Sequence, residues 1–124
     1  MALQTAVRDI RGVTVVELNG RITLGEGCEI VRQTLTDLLA KHQKNILLNL
    51  NDVSYIDSAG LGELVGWYVT VKNRGGALKL LNSHKKVMDL LQITKLHTIF
   101  EVYENQNLAV LSFNPELESS AEGV

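Results

Sequence analysis

The chain has 124 residues, 45% of them hydrophobic and 21% charged, with 12 basic and 14 acidic side chains for a net charge of −2. That length suits one domain that builds its own core without disulfides or a structural metal, and the absence of a basic tract speaks against a nucleic-acid partner. No apolar run approaches the roughly 20 residues of a membrane span, and residues 1–5 lack the basic start and apolar run of a signal peptide, so the expectation is a cytoplasmic protein without membrane insertion.

Two short strands open the chain, over residues 5–10 and 13–18, joined at Arg11-Gly12 by a hairpin turn of the kind glycine permits. Asn19-Gly20 reads as a turn after the second strand. Residues 26–42 carry helical spacing through Ile30, Val31, Leu35, Leu38 and Leu39. The run Ile46-Leu47-Leu48-Asn49-Leu50 is short, apolar and uncharged, the signature of a strand covered on both faces. A connector, residues 51–56, follows. From about Ala59 to Asn73 a second helix is expected, with Leu61, Leu64, Val65, Tyr68 and Val69 toward the sheet. Arg74-Gly75-Gly76 stops it.

Residues 77–81 form a fourth strand, and Asn82-Ser83 stand ready to cap a third helix over 84–92 with Val87, Leu90 and Leu91 inward. Residues 98–102 read as a last short strand. Residues 105–113 fit a last helix, although Val110, Leu111 and Phe113 leave a strand open, and Asn114-Pro115 ends it. Residues 116–124 read as a flexible acidic tail after a domain spanning 1–115. The order β-β-α-β-α-β-α-β-α predicts an α/β domain whose mixed, mostly parallel sheet of about five strands is opened by a hairpin and accompanied by about four helices.

The chemistry concentrates at Asp57-Ser58-Ala59-Gly60-Leu61-Gly62, where a strand run gives way to a helix. A helix start presents unpaired N–H groups and the positive end of the macrodipole, so a phosphate on Ser58 meets a favourable field. Gly60, Gly62 and Gly66 each cost a helix about 1 kcal/mol relative to alanine. Close packing against the sheet is one explanation, weighed most for Gly66. Close approach of another protein's backbone is the other, favoured for Gly60 and Gly62.

The run Val53-Ser54-Tyr55-Ile56-Asp57-Ser58-Ala59-Gly60-Leu61-Gly62, after an apolar strand and before a helix ending in Arg74-Gly75-Gly76, resembles the STAS domain of bacterial anti-sigma factor antagonists. The resemblance extends from the opening hairpin to about Asn105. It implies a regulatory protein, not an enzyme, that needs no cofactor. In that family the serine at this place is phosphorylated by an anti-sigma factor that is also a serine kinase. The unphosphorylated antagonist binds that factor and frees the sigma factor, phosphorylation breaks the complex, and a metal-dependent serine phosphatase restores it. Carried over, Ser58 is the phosphoacceptor, and Asp57, Ala59, Gly60, Leu61 and Gly62 join it on the partner surface. Two positions depart from the family's pattern. Thr23 stands in the turn that often carries an acidic residue near the partner site, and Asn49 replaces an aspartate in the strand before the motif. Both changes would remove negative charge near that site.

Other readings stand beside this one. Ser58 before a helix is an ordinary N-cap position, and Asp57 equally can be the cap. A STAS scaffold or accessory subunit of a stress-sensing or transport assembly leaves Ser58 structural. A small hydrolase makes it a nucleophile, although the GxSxG elbow is absent because Ile56 stands two residues before the serine. His42, His84 and His97 lack metal-ligand spacing. Cys28, near a helix start, is either an activated or, more simply, an inert thiol. Trp67 is divided between packing and partner contact.

Overall fold

The computed structural model describes residues 3–114. β1 (Leu3–Ile10) and β2 (Val13–Ile22) form the opening hairpin, followed by α1 (Glu26–Ala40), β3 (Asn45–Ile56), α2 (Ser58–Asn73), β4 (Ala77–Leu81), α3 (Lys85–Ile93), a single 3-10 turn (Leu96–Thr98), β5 (Val102–Tyr103) and α4 (Gln106–Phe113). The strands lie in the order β1-β2-β3-β4-β5. Only the β1–β2 pair is antiparallel. The expected order of elements and the mixed, mostly parallel sheet are what the chain forms.

Sequence patterning explains the layers. β3 carries its central apolar run on both faces: Ile46, Leu48 and Leu50 join one core and Leu47 the other. The first core takes Val31, Leu35, Leu38 and Leu39 from α1, Leu61, Leu64 and Val71 from α2, and Val87 and Leu91 from α3. The second is smaller and packs Val13, Val15, Leu47 and Leu81 under Ala109 and Val110 of α4. The Arg11-Gly12 turn places both residues at positive φ, 53° and 83°, the conformation a two-residue hairpin with the native strand twist requires.

Five expectations need correction. Asn19-Gly20 is not a turn: β2 runs on to Ile22, and the positive φ of Gly20 accompanies a register shift against β3. Residues 51–56 are not a connector but the second half of β3, held in strand by pairing with β2 out to Ile22↔Ile56. The strand expected over 98–102 shrinks to Val102–Tyr103. Lys95 takes a left-handed φ of 62° and the Thr98 hydroxyl donates to its carbonyl (2.7 Å), which curls the preceding segment into the 3-10 turn. Phe100 is then buried edge-on against Tyr68, with ring centroids 5.4 Å apart. In α2, Val69 is exposed and Val71 is the inward residue. α3 starts one residue late, at Lys85, because Asn82 closes a local turn instead of capping: its amide donates to the His84 carbonyl (2.9 Å) and its oxygen accepts from the His84 N–H (3.2 Å). Pro115 and the tail, residues 116–124, lie outside the described residues.

Candidate functional site

β3 ends at Ile56 and α2 begins at Ser58, so Asp57 is the N-cap. Its Oδ1 accepts from the Gly60 N–H at 2.8 Å, the side-chain-to-N3 bond that satisfies one of the helix's orphan donors. Its Oδ2 accepts from the Leu24 N–H at 3.0 Å, and its own N–H donates to the Ile22 carbonyl. One carboxylate thus joins the helix to the turn after β2. These donors, the Leu24 N–H first and the Gly60 N–H second, hold its pKa below the usual carboxylate range. Asp57 is spent on the fold.

Ser58 is not spent. It is the first helical residue of α2, it is exposed, and its hydroxyl makes no hydrogen bond among the described residues. No acidic side chain stands in the first turn of α2. Of the two capping alternatives, the structure selects Asp57 and leaves the Ser58 oxygen free.

The flanking residues divide. Ala59 is half-buried and Gly62 exposed, and both border an open groove between α1 and α2. Gly60 and Leu61 face inward. A Cβ on Gly60 would stand 2.1 Å from the Ile22 carbonyl oxygen and 3.0 Å from Cγ2 of Ile56, so this glycine exists for contact within its own chain. Leu61 is 8% exposed and belongs to the first core. Both thus turn toward the protein's own core. Gly66 departs from its expectation in the other direction, and Gly62 shares its open setting. A Cβ on either meets nothing within 4 Å, so sheet packing does not explain Gly66.

Thr23 lies in the turn facing α2, half-buried, its carbonyl accepting from the Cys28 N–H. The turn is near the site because the next residue, Leu24, binds Asp57. Asn49 is elsewhere: its amide donates to Glu17 on the α4 face of the sheet, and its oxygen accepts from the Asn51 N–H (3.0 Å). Its replacement of an aspartate therefore does not bear on the charge around Ser58. The Cys28 thiol is buried, and burial, with the charges of Glu63 and Asp57, raises its pKa, so the activated reading is not supported.

Sequence reasoning missed the groove beside Ser58. Its volume is about 530 Å³, and Arg32, Glu63 and Trp67 form its polar wall. The Arg32 guanidinium meets the Glu63 carboxylate at 2.8 Å, and the indole N–H of Trp67 donates to the same carboxylate at 2.8 Å. Trp67 therefore packs at the core's edge while lining the groove. Arg32 and Glu63 are 31 positions apart in the chain, and no local pattern announces their meeting.

The chain resembles proteins of known role along nearly its whole length. It is 29% identical over 107 residues to the anti-sigma F factor antagonist of Paenibacillus polymyxa, covering 86% of this chain and 91% of that protein. The crystal structure of an anti-sigma factor antagonist from Mycobacterium paratuberculosis superposes with a TM-score of 0.78 at 19% identity, over 90% of this chain and 94% of that one. The Bacillus cell fate determinant SpoIIAA in its phosphorylated form superposes with a TM-score of 0.65 at 21% identity, over 88% and 96%. At those identities the two structures establish the fold. The family model for the STAS domain matches residues 4–109, and the chain belongs to the STAS domain family.

Proposed function

We propose that this protein is an anti-sigma factor antagonist that works by partner switching. Unphosphorylated, it docks onto an anti-sigma factor serine kinase through Ser58, Ala59, Gly62 and the Thr23–Leu24 turn, with Asp57 holding that turn against α2. Phosphorylation of Ser58 releases it, and a serine phosphatase resets it. The observation that carries the reading is the Ser58 hydroxyl, exposed on the first residue of α2 and unbonded among the described residues.

The physical argument is one of sides. Phosphorylation adds about −1.5 to −2 charges and three strong acceptors. Within the protein that charge meets the positive end of α2, so the fold has little reason to change. A partner pressed against Ser58 meets a hydrated dianion beside the Asp57 carboxylate. Desolvation and like-charge repulsion then fall on the complex alone, at about 2 kcal/mol or more, and 1.4 kcal/mol is already about tenfold in affinity.

Incubation with ATP and a co-encoded ATPase-type serine kinase should raise the intact mass by one phosphate, and Ser58→Ala should abolish the gain. Calorimetric titration of the unmodified protein into that kinase should give an affinity at least about tenfold above that of Ser58→Asp, with melting temperatures nearly unchanged. Equal affinities would remove the switch.

A further inference from the structure

The turn between β2 and α1 is held at each residue from Ile22 to Gly25. The Asp57 N–H donates to the Ile22 carbonyl at 3.3 Å, and the Leu24 N–H donates to Asp57 Oδ2 at 3.0 Å. The carbonyls of Thr23 and Gly25 accept from the Cys28 and Glu29 N–H groups, each at 3.0 Å. Two glycines let neighbouring backbone close on this segment. A Cβ on Gly60 would stand 2.1 Å from the Ile22 carbonyl oxygen, and one on Gly27 would stand 2.6 Å from that of Arg21. The backbone of the turn is thus fixed against the first turns of both α1 and α2.

On that fixed backbone Leu24 is 80% exposed, the highest value of any large apolar side chain among the described residues. A single exposed leucine is ordinary on a protein surface. Its placement sets this one apart. Ile93, nearly as exposed, is the last residue of α3, whereas Leu24 is one hydrogen bond from the residue that precedes Ser58. A stable interface covers about 800 Å² on each partner, so a protein seated over Ser58 covers Leu24 as well. Affinity needs apolar area to remove from water. Of Ser58, Ala59, Gly62, Thr23 and Leu24, only Leu24 carries a large apolar side chain.

We infer that the Leu24 side chain is the apolar anchor of the Ser58 surface and fills a leucine-sized apolar socket on the anti-sigma factor serine kinase. The inference rests on the reading of that surface as the kinase-docking site, and it names what holds the unphosphorylated complex together. The turn is ordered before the partner arrives, so docking fixes only the rotamers of the leucine itself. Adhesion then resides in Leu24, while Ser58 carries the switch.

The test uses the full-length protein and the co-encoded ATPase-type serine kinase. In calorimetric titration Leu24→Ser should bind the kinase about tenfold more weakly or worse, as expected when a buried leucine is lost, with an unchanged melting temperature. Leu24→Met, similar in volume, should stay within about threefold of the parent. In the phosphorylation assay Leu24→Ser should raise KM with little change in kcat, the mark of binding lost equally from ground and transition states. Parent-like affinity of Leu24→Ser, while Ser58 is still phosphorylated, overturns the anchor and leaves the phospho-switch standing. Faster exchange of the residue 24 amide in Leu24→Ser would trace the loss to the turn rather than the side chain and overturns it too. So does a concentration-dependent dimer that Leu24→Ser dissolves, which would give the leucine to a second copy. A parent protein that neither binds the kinase nor gains phosphate removes the docking reading, and the anchor with it.

Discussion

Two polar centres tie helices to this sheet, one on each face. On the α4 side, Lys79 is 8% exposed, and its ammonium donates to the carbonyl and the hydroxyl of Ser112 at 3.1 and 3.0 Å. It also stands 3.5 Å from Glu101 and 4.7 Å from the centre of the Phe113 ring. On the α2 side, the Asp57 carboxylate ties two backbone segments together, and beside it Ser58 keeps an unused hydroxyl. The first centre consumes what it has, because a buried ammonium left without partners is expensive. The second consumes the acid and leaves the alcohol over. A polar group that the fold does not need, at a helix start, is available for chemistry, and that difference sets Ser58 apart from the Asp57 beside it.

The sharpest way to break this comparison uses the glycines beside Ser58. Gly60→Val should destabilise by about 3 kcal/mol, as overpacking does when backbone blocks the new atoms, here the Ile22 carbonyl 2.1 Å from the new Cβ. Gly62→Ala meets open space and should stabilise by up to about 1 kcal/mol through helix propensity. Urea denaturation of both variants reads the contrast, and similar values for the two would mean that the inward and outward faces of α2 are misassigned. Lys79→Ala should cost about 2 kcal/mol, in the range of hydrogen bonds to a charged group. It should speed amide exchange at Ala109 and Val110; unchanged exchange there would show that α4 does not need the ammonium.

Asp57→Ala should cost about 1 kcal/mol, the usual value of a lost N-cap, and should free the Leu24 turn, visible as faster exchange of the Leu24 amide. The pH dependence is a smaller effect with a definite sign. The folded-state pKa of Asp57 is depressed, so its stabilisation is complete above the ordinary aspartate value, about 3.9, and is lost as pH falls through the lower folded-state value. The acid limb of the stability curve, below about pH 4, should be shallower in Asp57→Asn than in the parent. Superimposable limbs would show that the carboxylate's charge contributes nothing there.

Much of the fold was legible because the patterns behind it are local. The turn signal at Arg11-Gly12 marked where β1 gives way to β2, the continuous apolar run marked the doubly covered centre of β3, and helical spacing placed α1 within two residues of its observed end. The misread second halves of β2 and β3 share one cause. Asn19-Gly20 and residues 51–56 look like loops because their polar side chains obscure the strand pattern, and pairing between β2 and β3 holds them extended anyway. The helix start at Ser58 was legible in position, but not the division of labour around it, since Gly60 and Gly62 are the same residue two positions apart and only the neighbouring carbonyl of Ile22 tells them apart.

The sequence by itself therefore determined which elements form, their order, and that a serine begins the second long helix, because propensity, capping and periodicity act over a few neighbouring residues. The tertiary structure alone decided which polar groups are used up and which glycines face inward. It also decided that Arg32 and Glu63 meet across a groove and that β3 outruns β4 to leave an open edge. Those outcomes depend on contacts between segments tens of residues apart, and no local pattern encodes them.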